Sequence, residues 1–474
     1  MRLVLCLLGF VACGSSPIPT NKPGLDAAVT VPFVDTLPQP LTMENASSTP
    51  ATVEVSLVAA GAMLDMAPGK PTTRAWAYNG SVPGPTLVVT EGDHVIVHFT
   101  NKLPDPTTVH WHGLHIPADQ DGSPMDPVAP GASRDYVFDI PANSAGTYWY
   151  HPHPDGKTAD QVARGLFGAL IVRAKTDPLP KDLVDELLVL HDNRFTKNGG
   201  ISADTMNDMM NGREGDVLFV NGVVNPTMTL RAGEQRRLRI LNASAARYYL
   251  LKVPNHQLIK IGSSGGLFGV PQPLDQMLVA PGERVEVLLG ASAAPGTTTT
   301  LKALAYDRGV MTANGAPSPS TEVDLLSVAY TSDAPMTSPA VAGTLRTIAP
   351  IDVSNATARS FVLSEQMMNY MINGKTYDMN RVDVLAKLGT TEVWTVKNSA
   401  DMDHPFHLHG FQFQVLDRNG TAEPVVAWDD TVNVPRKGTV RLAVQLADFK
   451  GVRMYHCHIL EHEDLGMMGT IDVE

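Results

Sequence analysis

The segment Tyr455-His456-Cys457-His458-Ile459-Leu460-Glu461-His462, running on through Glu463 to Met467, carries the only cysteine beyond the first thirteen residues. Cys457 lies between two histidines, with His462 five residues on and Met467 ten residues on. A thiolate, imidazoles and a thioether are the ligand set of a blue-copper electron-transfer site. Gly451 to Met454 read as the approach to a strand, and strand alternation puts His456 and His458 on one face and Cys457 on the other. One short segment can therefore serve two metal centres joined through covalent bonds.

Three other histidine clusters supply partners. They are His110-Trp111-His112, His151-Pro152-His153 and His404-Pro405-Phe406-His407-Leu408-His409. Each contains an H-x-H pair, which in extended chain shares a face. With His456 and His458 there are four such pairs. Eight imidazoles are too many for one ion and suit a cluster of three. His404, Cys457, His462 and Met467 are left for a separate mononuclear site.

HWHG at 110–113, HPH at 151–153, HPFHLHG at 404–410 and HCHILEHEDLGMM at 456–468 resemble, in order and spacing, the four copper motifs of the multicopper oxidases, the laccase-like family. The resemblance runs from about Thr52 to the last residues. It implies three consecutive cupredoxin-like domains, each a Greek-key β-sandwich, in an all-β chain. It implies four copper ions. His404, Cys457 and His462 would bind the type 1 copper with Met467 axial, and His110 and His407 the type 2 copper. His112, His151, His153, His409, His456 and His458 would bind the type 3 pair. Electrons would enter singly at type 1, cross from Cys457 to His456 and His458, and reduce O2 to water. Asp121 and Glu463 match carboxylates that the family places on its proton routes. The alternative for Asp121, followed by Gly122, is a turn residue; for Glu463 it is a solvated charge.

Composition agrees with an all-β enzyme. The chain has 474 residues, 43% hydrophobic, with 39 Gly and 36 Pro and few long helical patterns. This suggests about three domains. The formal charge of −13 argues against nucleic-acid binding. Met1-Arg2, the apolar run Leu3 to Ala12 and then Cys13-Gly14-Ser15 read as a signal peptide over residues 1–13, of a type in which Cys13 is a candidate for lipidation. The expected protein is exported, to the periplasm or to a lipid anchor at the bacterial cell envelope. Residues 14–50, rich in Pro, Ser, Thr and Asn, read as a disordered tether within which Val29 to Val34 could dock as a strand.

A weak repeat marks the domains. Asn79-Gly80, Asn221-Gly222 and Asn373-Gly374 each precede a strand, a Gly turn and a second strand ending at Asn101, Asn242 and Asn398. Residues 51–175, 181–332 and 345–474 are the expected domains, with linkers at Ala174 to Lys181 and Thr331 to Pro350. The middle domain has no H-x-H pair and reads as a spacer. His191 and His256 there, and His94, His98 and His115 in the first domain, lie outside the motifs.

The expected partners are O2 and a small electron donor: Cu(I), Fe(II) or a phenol. Cu(I) is favoured because the tail is closest to periplasmic cuprous oxidases and because Asp401-Met402 precede His404, where a thioether and a carboxylate could receive the ion. Met206, Met209, Met210, Met367, Met368 and Met371 are further thioethers, or core filler. The alternatives are a laccase acting on phenols and aromatic amines, a copper-sequestering protein without turnover, and a non-enzymatic fold relative. The last usually lacks the ligands, and all twelve are here.

Overall fold

Six β-sheets account for nearly all the regular structure, and they pair into three sandwiches in chain order. The structure is a computed structural model describing residues 36–310 and 318–474. In the first sandwich, Thr52–Leu64 runs parallel to His94–Asn101, and Gly84–Thr90 in the facing sheet runs parallel to Gly168–Arg173. The same two parallel pairings recur in the second sandwich, Val184–Asn193 with Gln235–Asn242 and Thr227–Leu230 with Val323–Tyr330. They recur again in the third, Thr357–Gln366 with Thr390–Asn398 and Val384–Ala386 with Met468–Val473. Alternating burial along Thr52–Leu64 and His94–Asn101 sends Val53, Val55, Leu57, Val95, Val97 and Phe99 inward, as a sheet with one wet face requires.

The repeated asparagines explain why the three units fold alike. Asn79, Asn221 and Asn373 adopt positive φ (50°, 54° and 54°), which asparagine tolerates better than most residues. Each accepts from one backbone N–H of the neighbouring strand (Val58, Val189, Val362) and donates to a carbonyl two residues earlier (Ser56, Leu187, Ser360). Asn101, Asn242 and Asn398, all fully buried, make a second set. Each donates through Nδ2 to two carbonyls and accepts from the N–H two residues on. One side chain thus satisfies three buried backbone groups at the corner of each sandwich.

Residues 36–50 depart from the expected tether. Leu37 N–H donates to Thr227 O at 2.7 Å, Asn221 Nδ2 to Pro38 O at 2.8 Å and Met43 N–H to Thr86 O at 2.9 Å, and Met43 is buried in the first core. The reason is the open edge at Thr86, which offers backbone groups that an extended polar segment can satisfy. Val29 to Val34 and Cys13 lie outside the described residues. No helix among the described residues is long and apolar enough to cross a membrane. The short helix Thr158–Ala163 is joined to the third sandwich by Asp464, whose carboxylate accepts from the N–H groups of Thr158 and Ala159, both at 2.9 Å.

Asn242→Ala removes three bonds and leaves two carbonyls and an N–H buried without partners. Chemical denaturation is expected to show a loss on the order of 2–4 kcal/mol. A loss below about 0.5 kcal/mol would contradict the account of the corner.

Candidate metal centre

Strand pairing assembles the site. His110–His112 pairs with Gly146–His151, setting His110 opposite His151. His404–Leu408 pairs with Gly451–Cys457, setting His407 opposite His456 and Phe406 opposite Cys457. All eight histidines of the H-x-H pairs, together with His404, Cys457, His462 and Met467, are essentially inaccessible to solvent.

Hydrogen bonds decide which ring nitrogens are free. His110 Nδ1 faces Asp121 O at 2.9 Å, His407 Nδ1 faces Asp430 O at 2.8 Å, His151 Nδ1 faces Pro152 O at 2.9 Å and His456 Nδ1 faces Cys457 O at 2.9 Å. A carbonyl only accepts, so each of these Nδ1 atoms carries the hydrogen and each Nε2 keeps its lone pair. His409 is set the same way by Asp121 Oδ2 at 2.8 Å. The freed nitrogens converge. His456 Nε2 lies 3.0 Å from His409 Nε2 and 3.2 Å from His153 Nε2. His112 Nδ1 lies 3.4 Å from His151 Nε2, with the His458 ring 5.0 Å from that of His112. The Nε2 atoms of His110 and His407, and both nitrogens of His458, have no hydrogen-bond partner among the described residues. Ligand atoms within 4.8 Å of one another bring together His110, His112 and His151; His110, His407 and His409; and His153, His409 and His456, with the His458 ring beside His112.

A fourth group lies on the other side of His456. His404 Nδ1 is 3.2 Å from Cys457 Sγ and 3.4 Å from His462 Nδ1. Met467 is packed in the same buried cluster, and its carbonyl accepts from Cys457 N–H at 3.0 Å. Ile459 N–H points at the sulfur at 3.4 Å. Glu365 Oε1 accepts from His404 Nε2 at 2.7 Å, and Tyr370 stacks on His462 at 4.0 Å.

The donor set fits metal ions. Burial first, and then repulsion among neighbouring rings, holds His112, His151, His407 and His409 well below the usual histidine range. The same burial draws His153 down to about 4 and His458 to about 3. All are neutral at physiological pH, the state that ligates. A buried nitrogen without a partner costs roughly 1–3 kcal/mol, and lone pairs facing each other at 3 Å repel, so this pocket is stabilised by cations. Burial likewise favours the neutral Cys457 thiol; the thiolate needs a positive charge beside it.

Two carboxylates singled out in the sequence sit against the cluster. Burial would raise Asp121, but His110, with Arg453 and His153 behind it, outweighs burial and holds the carboxyl below its usual range. The residue after it must be Gly122, because a Cβ there would meet Val109 O at 1.9 Å. Glu463 approaches His456 Nδ1 at 3.1 Å and His153 Nε2 at 3.4 Å. Burial pushes it up, and these rings outweigh burial and bring it down to about 2.

Asp401 and Met402 are placed differently from the expectation. Met402 is buried, and its sulfur receives an N–H from Arg308 at 2.9 Å, a cation where a metal ion was expected. Asp401 points to solvent and pairs with Lys437 at 2.7 Å. The two side chains do not share a site. His94 pairs with Asp139, His98 with Glu54 and Asp135, and His115 with Asp448. His191 stacks on Phe219, and His256 meets Tyr330 OH at 2.5 Å.

Four contacts had no signal in the sequence. Glu365 reaches His404 across 39 residues, and Asp430 reaches His112 across 318 residues. The middle sandwich is more than a spacer: Arg284 forms a buried ion pair with Asp430, and Gly282 packs on the His458 ring.

Multicopper oxidase family profiles match residues 63–177, 185–309 and 350–474. The chain is 34% identical over 406 residues to multicopper oxidase mco of Staphylococcus haemolyticus, covering 84% of this chain and 83% of that one. It is 33% identical over 417 residues to the cell division protein FtsP of Photorhabdus laumondii, covering 85% and 86%. The solved multicopper oxidase of Campylobacter jejuni, described as a metallo-oxidase, superposes with a TM-score of 0.86 at 36% identity over 93% of this chain and 96% of that one. The chain belongs to the multicopper oxidase family. It is an oxidoreductase of three cupredoxin-like domains, with copper of types 1, 2 and 3 as its cofactor.

Gly282 has φ +80°, and a Cβ there would lie 2.7 Å from the His458 ring. Gly282→Ala is expected to lower copper bound per chain, measured by elemental analysis, while the Cys457 site stays loaded. Unchanged copper content would contradict the packing described.

Proposed function

We propose that this chain oxidises a small donor one electron at a time at the Cys457 site and reduces O2 to water at the eight-histidine cluster. The observation that carries the reading is covalent: Cys457, grouped with His404 and His462, is bonded directly to His456 and His458, whose rings both lie in the histidine cluster. In this assignment His404, Cys457, His462 and Met467 hold the type 1 copper, His110 and His407 the type 2 copper, and the other six histidines the type 3 pair. Bound copper supplies one-electron exchange at the first site and multi-electron reduction of O2 at the second. The chain keeps both sites free of bulk water and orients most of the imidazoles by hydrogen bonds before an ion arrives, which limits rearrangement when charge changes.

Reduction of O2 to water consumes protons. Asp121, against His409 and His110, and Glu463, against His456 and His153, are buried carboxylates in contact with the cluster and are assigned the relay of protons to it. Asp121→Asn is expected to slow reoxidation by O2 at least tenfold while reduction of the type 1 site by donor stays fast. Equal rates in both half-reactions would reduce Asp121 to a turn residue.

The donor side favours a metal ion, with Cu(I) ahead of Fe(II). Glu365 joins His404 to the surface, its side chain 21% exposed. Met367 on the same hairpin is 88% exposed, and Met206 and Met210 on the helix Met206–Asn211 are 64% and 47% exposed. Tyr370 OH ties that helix to the hairpin by donating to Met210 O at 2.8 Å. Thioethers suit Cu(I), and a carboxylate suits the Cu(II) that forms. The alternative is a laccase whose phenolic donor needs only an exposed edge. The N-terminal segment supports export to the cell envelope as part of the proposal; mass analysis of the mature N-terminus tests it.

Glu365→Gln combined with Met367→Leu is expected to raise KM for Cu(I) about tenfold and to spare KM for a phenol. Impairment of both donors alike favours the laccase reading. Cys457→Ser is expected to abolish the blue colour and donor oxidation while the fold remains; retained blue absorption overturns the assignment.

A further inference from the structure

We infer that Arg284, from the middle domain, is a positioning residue of the histidine cluster, acting through Asp430 to set the tautomer of His112 and the orientation of His407. The inference rests on reading the cluster as the copper site.

Arg284 is fully buried, and its five N–H groups have five acceptors. Nε donates to Thr147 O at 2.9 Å in the first domain. Nη1 donates to Gly282 O at 3.1 Å and Asp430 Oδ1 at 2.7 Å. Nη2 donates to Ser264 O at 2.9 Å and Asp430 Oδ2 at 2.6 Å. A planar guanidinium with every donor used cannot rotate without losing bonds. It therefore holds the Asp430 carboxylate in one plane. The fit leaves no room for a side chain after His112: a Cβ on Gly113 would lie 2.4 Å from Asp430 Oδ2 and 2.5 Å from Arg284 Nη2.

Asp430 passes that orientation on. Its Oδ1 lies 3.1 Å from His112 Nε2 and accepts from Thr431 Oγ1 at 2.8 Å, and its backbone carbonyl receives His407 Nδ1 at 2.8 Å. The His112 and His407 rings stack at 3.8 Å, 11° from parallel. With Nε2 donating to Asp430, His112 keeps its lone pair on Nδ1, which faces His151 Nε2. His110, His151, His407, His409 and His456 are set the opposite way, each with Nδ1 bonded and Nε2 free. Asp430 Oδ1, with Thr431 Oγ1 at 3.0 Å from the same Nε2 and itself bonded to that carboxylate, thus reverses His112. The carboxylate, His112 and His407 could be taken for a ligand trio, but both carboxylate oxygens are engaged by Arg284, so Asp430 orients imidazoles and does not ligate. A buried ion pair is weak evidence for stability in itself; orientation is what this one accomplishes.

The test uses the full copper-loaded chain and reads copper per chain, blue absorption and the type 2 electron paramagnetic resonance signal. Arg284→Met is expected to keep the blue absorption, lose the normal type 2 signal and bind cluster copper roughly 10- to 100-fold more weakly. Arg239→Met is the control. Arg239 also joins the middle domain to the first, by donating to Thr147 Oγ1, but does not touch Asp430; this variant is expected to keep all copper signals. Should Arg284→Met not fold, Arg284→Lys retains the charge without the fork and is expected to keep the blue absorption with an altered type 2 signal. An unchanged type 2 signal and copper content in whichever Arg284 variant folds overturns the inference. Equal losses in Arg239→Met also overturn it, because the domain contact would then suffice. Failure of the unaltered chain to bind cluster copper would overturn the reading beneath it.

Discussion

Neutral imidazole lone pairs aimed at one another inside a sealed interface are the constraint on which the rest of this structure depends. His409, His153 and His456 bring Nε2 atoms to within 3.0–3.2 Å, close enough for three ring nitrogens to share one ion, whereas a single imidazole hydrogen could serve only one of these contacts. Burial opposes protonation. A metal ion satisfies these nitrogens together, so loading adds to the stability of the fold. The first and third sandwiches each supply four of the eight rings, and neither builds the cluster alone.

That division explains why the domains must be held in register, and by what. The middle sandwich contributes no ligand, yet its fully buried Arg284 contacts backbone in the first domain and Asp430 in the third. The Asp464 carboxylate, capping Thr158–Ala163, is a second tie between the outer domains. Polar contacts at such interfaces specify a relative placement that apolar contact alone would leave loose.

The histidine motifs were legible because strand geometry converts spacing into direction, and the three asparagine repeats were legible because each marks a corner with the same hydrogen bonds. Which ring nitrogen of each imidazole is free was not legible: it depends on which nitrogen meets a carbonyl, and that is set by the backbone of Asp121, Pro152, Asp430 and Cys457 in three dimensions. Glu365, Arg284 and Asp430 were invisible for the same reason, since carboxylates and arginines are common and their partners are far along the chain. Met402 was misplaced because adjacency to His404 in sequence says nothing about the Arg308 guanidinium that reaches its sulfur. Residues 36–50 look like a linker by composition but lie along a sheet edge that needed a partner.

The central claim is that the Cys457 site and the cluster work as one circuit through the bonds joining Cys457 to His456 and His458. The most direct measurement is the stoichiometry of oxygen uptake with a one-electron donor and fully loaded protein, with peroxide assayed in the same vessel. The account predicts about four donors oxidised per O2 with no peroxide released, as a thiolate entry site wired to a multi-ion cluster requires. About two donors per O2 with stoichiometric peroxide, or donor oxidation without oxygen uptake, would contradict it.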